Sequence, residues 1–363
     1  MPDVNIDLIG KDQNNKMVIE GAVANTLAQA SPNGLHVNNF RPFIGKDGKP
    51  YINRIVGNKV VAVPATVNAA LRRDEWITLD ETVLKISRER IGGFQDIISR
   101  GLTYNLTNPM GKTVLEYHDQ DDPGEAIITM DAVTRGSNDA PNYTTNYIPL
   151  PIVHGDFVLN ERLLQSSRNM GESIDTSMVE SVTRRVLEKL EDMLFTSTSY
   201  TFGGGTIYGY LNHPNRNTVT LSVNWDASAK TAANIKDDVL AMKAALIAAK
   251  HFGPYMLYIP TDYETVLDDD YDTTTSSGRT IRQRIMEIEG IMGIKVIDRL
   301  TADNIVLAQL TSDVIRIING FSPRVVQWSS QGGMVHHFKI MAIQVPQVRA
   351  DQSGNSGICH LAA

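Results

Sequence analysis

Residues 170–197, "MGESIDTSMVESVTRRVLEKLEDMLFTS", carry the strongest helical pattern in the chain. Ile174, Met178, Val182, Val186, Leu190 and Leu194 recur every four residues, joined by Val179, Leu187 and Met193. That spacing places apolar side chains on one face of an α-helix. At 1.5 Å per residue, roughly 25 residues span about 38 Å, longer than an ordinary globular helix. Glu180, Arg184, Arg185, Glu188, Lys189 and Glu191 fall on the opposite face and read as a solvated surface with local opposite-charge neighbours. A long rod with one greasy stripe predicts a spine.

Upstream, "LRRDEWITLDETV" at 71–83 looks like the start of a folded domain, with Val83, Leu84, Ile86 and Ile91 predicting a helix from about Asp80. Almost seventy residues precede it. Their stretch "SPNGLHVNNFRPFIGKDGKPYINRIVGNKVVAVP" is rich in Gly, Pro and Asn, with alternation only at Tyr51 to Ile55 and Val60 to Val63. Such a segment cannot bury itself alone, so residues 1–69 read as an extended arm that lies on another surface. Between the first helix and the spine, residues 104–160 hold short alternating runs separated by turn-rich segments at Asp119 to Gly124 and Gly136 to Asn142. The pattern predicts a long, projecting β-hairpin.

After the spine, Gly203-Gly204-Gly205 opens into "TIYGYLNHPN", read as a strand and a turn. Helices follow around Ile235 to Ile247, from Thr261 to Leu267, and around Ile281 to Ile288, with a strand "YMLYIP" at 255–260. Strands then dominate: "IKVIDRL", "NIVLAQL", "DVIRIING", "RVVQWSS" and "MVHHFKIMAIQVPQVRA". The second half therefore reads as α+β with an antiparallel or mixed sheet, without internal repeats or a long linker.

The chain has 363 residues, 42% hydrophobic and 21% charged, near the globular average and enough for one large or two modest domains. Its 34 Lys and Arg against 41 Asp and Glu give no general electrostatic footprint for nucleic acid. The single Cys359 excludes an intrachain disulfide framework and Cys-rich zinc sites. The opening "MPDVNIDLIGKDQNN" lacks the basic-then-apolar run of a signal peptide, and nowhere do about eighteen apolar residues stand together. A soluble, unexported chain without membrane partners is expected.

Catalytic motifs fail on inspection. "NPMGKT" at 108–113 ends like a P-loop, but Leu106 stands where the first Gly is required. "LDDDYD" at 267–272 offers oxygens to a divalent cation without the Gly and distal Glu of an EF-hand, and reads as a solvated acidic turn. His336 and His337 are adjacent, so on a strand they point to opposite faces and cannot share a metal. His213 reads as a turn residue before Pro214. No Gly-x-Ser-x-Gly elbow, His-Glu-x-x-His pair or Gly-x-Gly-x-x-Gly loop occurs. No catalytic, cofactor-binding or metal-ligating residue is assigned.

In order, an extended arm, a short helix, a long two-stranded loop, a spine helix, an αβ region and a long last strand resemble the HK97-like fold of tailed-bacteriophage major capsid proteins. More narrowly, "LRRDEWITLDETVLKISRERIGGFQDIIS" is similar to the opening of encapsulin-type shell proteins, whose acidic helix leads to a Gly-rich turn, here Ile91 to Ile97. "TIYGYLNHPN" is similar to the turn that follows the spine helix in that branch. The resemblance implies an N-terminal arm at 1–69, a first helical part of the P-domain at 70–103, an E-loop at 104–160 and P-domain at 161–232. An A-domain at 233–325 and a P-domain return strand with the C-terminus at 326–363 complete it. It further implies an icosahedral shell of hexamers and pentamers around double-stranded DNA held by non-specific contact. Portal, scaffolding and decoration proteins are the implied partners, in a virion assembled in the host bacterial cytoplasm.

Encapsulins usually begin near the equivalent of Leu71, so the additional arm favours a virus capsid over a nanocompartment holding protein cargo. A cytosolic enzyme using the acidic turn is the reading from another class. No fused scaffolding domain and no large maturation cleavage are expected, and Val37, Phe40, Phe43, Ile44, Tyr51, Ile52, Ile55, Val60 and Val61 are expected on neighbouring subunits. Some members of the resembled family join a loop lysine to a neighbour's asparagine, and Lys112 is the only lysine between Tyr104 and Asn160. Without a matching asparagine or assisting acid, a non-covalent shell is expected. Boiled particles should run as monomers on a denaturing gel; a ladder of multimers that Lys112→Arg abolishes would overturn this.

Overall fold

The computed structural model describes residues 43–45, 49–56, 59–64, 71, 73–90, 92–120, 128, 130, 143–169, 177–196, 199–271, 278–351 and 353–362. Expectations placed on 1–42, on 170–176 and on most of 121–142 lie outside the described residues.

The chain opens with an antiparallel ladder of β1 (Phe43–Ile44), β2 (Pro50–Val56) and β3 (Lys59–Pro64). Helices α1 (Arg73–Arg90) and α2 (Gly92–Ser99) lead to a short strand, β4 (Thr103–Asn105). Strands β5 (Val114–Gln120) and β6 (Tyr143–Pro149) form a hairpin, and β7 (Val153–Asn160) runs into α3 (Glu161–Asn169). Helix α4 (Ser177–Phe195) lies in the stretch expected to form the spine, followed by the small hairpin β8 (Tyr200–Phe202) and β9 (Gly205–Ile207). Then come β10 (Asn217–Thr220), α5 (Ala232–Ala248), β11 (Tyr255–Ile259), α6 (Glu264–Leu267) and α7 (Ile281–Met286). Strands β12 (Ile291–Val296), β13 (Asn304–Gln309), β14 (Ile315–Ser330), β15 (Val335–Val348) and β16 (Ile358–Ala362) complete the fold.

Two mixed sheets organise these elements. A four-stranded sheet has the order β4-β14-β15-β7, and a five-stranded sheet the order β10-β16-β13-β11-β12. The spine packs on β7, β15 and α1 and buries Val179, Val186, Leu187, Leu190 and Leu194. Opposite them the sheet supplies Phe157 and Phe338, stacked at 4.9 Å, and Trp76 of α1 meets Phe338 edge-on at 6.3 Å. A second core lies between the five-stranded sheet and α5 and α7, built on Val239, Met242, Leu246, Leu257 and Ile285. Thr231 caps α5 by accepting from the Asn234 N–H at 3.3 Å. Helix α2 abuts the end of the spine, where a Cβ on Gly93 would lie 2.3 Å from the Phe195 ring. Only glycine permits that approach.

The structure corrects several expectations. The first helix begins at Arg73 rather than near Asp80, because Trp76 and Leu79 are buried along with Val83 and Ile86 and extend its apolar face by a turn. The Gly92-Gly93 segment is the start of helix α2, not a turn, since its apolar residues Phe94 and Ile97 are three apart and both fully buried. Within 104–160 the described hairpin ladder joins Val114–Gln120 to Tyr143–Pro149, whereas Thr103–Asn105 pairs with β14 and Val153–Asn160 with β15. "DVIRIING" and "RVVQWSS" lie on a single strand, whose register shifts between Asn319 and Arg324 absorb Gly320 and Pro323. Within 326–363 the chain divides: β15 lies in the four-stranded sheet, whereas β16 enters the five-stranded one between β10 and β13.

Two corrections concern burial. Phe43 and Tyr51, stacked at 6.2 Å, pack in the subunit's own core rather than on a neighbour. Along the spine, Met178 is 47% exposed while Thr183 and Glu191 are buried, so Glu191 does not belong to the solvated face. A side chain's place on the helical wheel sets its direction but not what lies opposite, and α2 lies opposite Glu191. Leu190→Ala should therefore cost about 3 kcal/mol in chemical denaturation, while Met178→Ala should stay within about 0.5 kcal/mol of the parent chain.

Candidate functional site

The acidic turn is taken up by structure: Arg282 pairs with Asp268 at 2.7 Å, and the Asp270 N–H donates to Asp269 Oδ1 at 2.9 Å. Among the described residues no group of three or more His, Cys, Asp or Glu side chains is arranged to hold a metal ion. At the P-loop-like segment, Asn108 adopts a left-handed backbone and accepts from the Gly111 N–H at 3.2 Å. The amide a phosphate would need is thereby engaged in a local turn.

The histidines serve as internal ties. His336 joins Glu161 at 2.6 Å through Nε2 and Ser329 at 2.9 Å through Nδ1, fastening the end of β14–β15 to α3. His337 stacks on Trp328 at 5.2 Å. His213 accepts at Nδ1 from the Asn215 N–H, and His360 accepts at Nδ1 from Arg216 Nε and so donates from Nε2 to Asn304 at 2.7 Å. Burial, aided by the Arg216 charge, lowers both histidines to about 4, so both are neutral near pH 7. The ties of His336 to Glu161 and of His360 to Arg216 and Asn304 join residues distant in sequence, and no sequence motif pointed to them.

What remains is surface. The hairpin ladder runs from Val114 opposite Pro149 to Gln120 opposite Tyr143. Its base is anchored: Ile148 and Leu150 pack with Leu106, Ile207, Ile318, Ile343 and Val345 in a separate small core. Gly205 lies beneath β6, where a Cβ would meet the Tyr147 carbonyl oxygen at 2.3 Å, so only glycine allows β9 to support the hairpin this closely. Farther along, described side chains are exposed. Tyr143 is 63% exposed, and Ile128 and Met130, in the connection between the two strands, are wholly exposed. A cleft of about 340 Å³ opens between hairpin and body, lined by Tyr117, Tyr147, Tyr208, His213, Gln347 and Asp351 among others.

Further apolar side chains are exposed elsewhere. Trp328 lies beside His337, which is opposite Val158 across the ladder, so the two half-exposed apolar residues share one sheet face. Phe252, at 74% exposure, follows α5. A subunit that anchors the base of a hairpin and leaves Ile128 and Met130 of its connection exposed offers apolar side chains for contact with other molecules. No helix among the described residues is long and apolar enough to cross a membrane.

Comparison with solved structures places this geometry. The virus-like particle from Pyrococcus furiosus is 14% identical, with a TM-score of 0.56 over 79% of this chain and 98% of that one. The capsid of the native GTA particle is 15% identical, with a TM-score of 0.53 over 76% and 93% of the two chains. The capsid of Myoviridae phage XM1 is 11% identical, with a TM-score of 0.52 over 69% and 86%. The chain thus has the HK97-type fold shared by these shell-forming proteins. It belongs to the family described as "Family of unknown function (DUF6260)", whose model matches residues 65–361. No curated protein matches it.

Since Ile128 and Met130 make no burial within the subunit, the double substitution Ile128→Ser with Met130→Ser should leave subunit stability within about 0.5 kcal/mol of the parent. Chemical denaturation of unassembled subunits checks this; a larger loss would mean that the tip packs on its own subunit.

Proposed function

We propose that the protein is a major capsid protein that self-assembles into a closed icosahedral shell of hexamers and pentamers. On this reading the shell encloses the double-stranded DNA genome of a tailed phage, and structure is the function, with no catalytic chemistry. The observation that carries the reading is a body with the fold of known shells whose hairpin is anchored at the base and uncovered and apolar at Ile128 and Met130. Copies of such a subunit can cover one another's exposed residues, and many weak contacts repeated around rings add up to a stable particle. The net charge of −7 supports only local, non-specific DNA contact. The role would bring portal, scaffolding and decoration proteins as partners, in a virion assembled in the host bacterial cytoplasm.

A second reading, a shell around protein cargo, draws support from the Pyrococcus furiosus particle, whose chain is matched over 98% of its length. Purified protein viewed by electron microscopy should show ring capsomers or closed shells, and only dispersed monomers would overturn both readings. Nuclease-protected DNA inside particles recovered from cells favours the capsid, and protein contents favour the compartment. The Ile128→Ser, Met130→Ser variant should remain folded yet form few or no closed particles by sedimentation. Normal particle yield from it would show that the hairpin tip makes no essential contact.

A further inference from the structure

The end of the spine helix holds a buried carboxyl that, among the described residues, pairs with no cation. Glu191 is 2% exposed, where α4 meets α2 and the five-stranded sheet. Its Oε1 accepts from the Gly93 N–H at 2.7 Å and its Oε2 from the Phe94 N–H at 3.4 Å, which fixes the start of α2 to the spine. The charged groups around it are paired elsewhere. On α2, Asp96 takes Lys295 of β12 as its ion-pair partner and accepts from the Tyr258 hydroxyl of β11 at 3.4 Å. On α4 itself, Asp192 takes Arg299 at 2.6 Å, with Lys189 at 3.8 Å. Asp298, in the segment after β12, and Asp96 both repel a charge on Glu191, and the buried ring of Tyr210 stacks on Tyr258 at 5.8 Å.

We propose that Glu191 is a proton-operated latch between the spine helix and the part of the subunit built on the five-stranded sheet. Neutral, the carboxyl remains buried and keeps α2 and the 291–299 segment seated on α4. Ionised, it faces the repulsion of Asp96 and Asp298 against the pull of the two backbone amides, and the seat loosens. The proton stays on because burial raises the group to about 7, against the opposing pull of the two backbone hydrogen bonds. A carboxyl raised on folding contributes stability that is full below its unfolded value of 4.5 and is lost as pH rises through about 7. His213 and His360 act in the opposite sense, losing stability as pH falls toward about 4, so the latch is read by comparing variants rather than from one curve.

The test is hydrogen exchange of the 92–99 amides in the full chain, corrected for intrinsic rates. The inference concerns one folded subunit, so it can succeed or fail whether or not particles form. Between pH 5.5 and pH 8.5 the wild-type opening equilibrium of these amides should rise roughly 30-fold, from the raised carboxyl alone. Glu191→Gln, neutral at every pH and still able to accept from Gly93, should lack this rise. Asp298→Asn removes one repelling charge and should move the wild-type midpoint to lower pH, which keeps the test decisive should the Gln variant fold poorly. A flat wild-type profile, an undiminished rise in Glu191→Gln, or an unmoved midpoint in Asp298→Asn would each overturn the latch.

Discussion

The burial of one helical stripe is the constraint on which the rest of this subunit depends. Val179, Val186, Leu187, Leu190 and Leu194 of the spine are all removed from water by the four-stranded sheet and the first two helices. At about 25 cal/mol per Å² of apolar surface, burying five such side chains contributes on the order of 10 kcal/mol. The stripe also sets position. Gly155 lets β7 approach Val182, and the Phe195 ring fills the space that a side chain at Gly93 would occupy. The strands that cover the spine are therefore fixed in both distance and register.

From that fixed body the other parts follow by what each can bury. The five-stranded sheet has its own core with α5 and α7, and the chain's last strand lies inside it, so both ends of the second half are tied into one unit. Among the described residues the hairpin is packed at its base. A two-stranded ribbon has no second layer of its own, so beyond the base its side chains meet water unless another molecule covers them. The difference between base and tip is a difference in available partners, and it is where a role in assembly becomes physically sensible.

Polar groups inside the subunit join elements that apolar packing alone would leave free to slide. Glu161 with His336 ties α3 to β15, His360 with Asn304 ties β16 to β13, and Glu191 ties α4 to α2. A buried polar group left unpaired is costly, so each tie admits a narrow set of arrangements. The Glu191 tie differs from the others in that burial raises its carboxyl to about 7.

Much of this protein was legible in the chain itself. The four-residue repeat running to Leu194 marked a helix, the alternation at Val114 to Tyr117 marked a hairpin strand, and the order of parts carried the resemblance to a shell fold. Periodicity reports which side of an element is apolar, and that is a local property. Tertiary structure decided what faces each side. Only packing could show that Glu191 is buried beneath α2, that Phe43 and Tyr51 join the subunit's own core, or that β16 crosses to the five-stranded sheet. It also decided that Gly320 and Pro323 make a bulge rather than a turn, because β15 continues opposite them as an unbroken partner. These outcomes depend on contacts between residues far apart in sequence, and no local pattern encodes the partner.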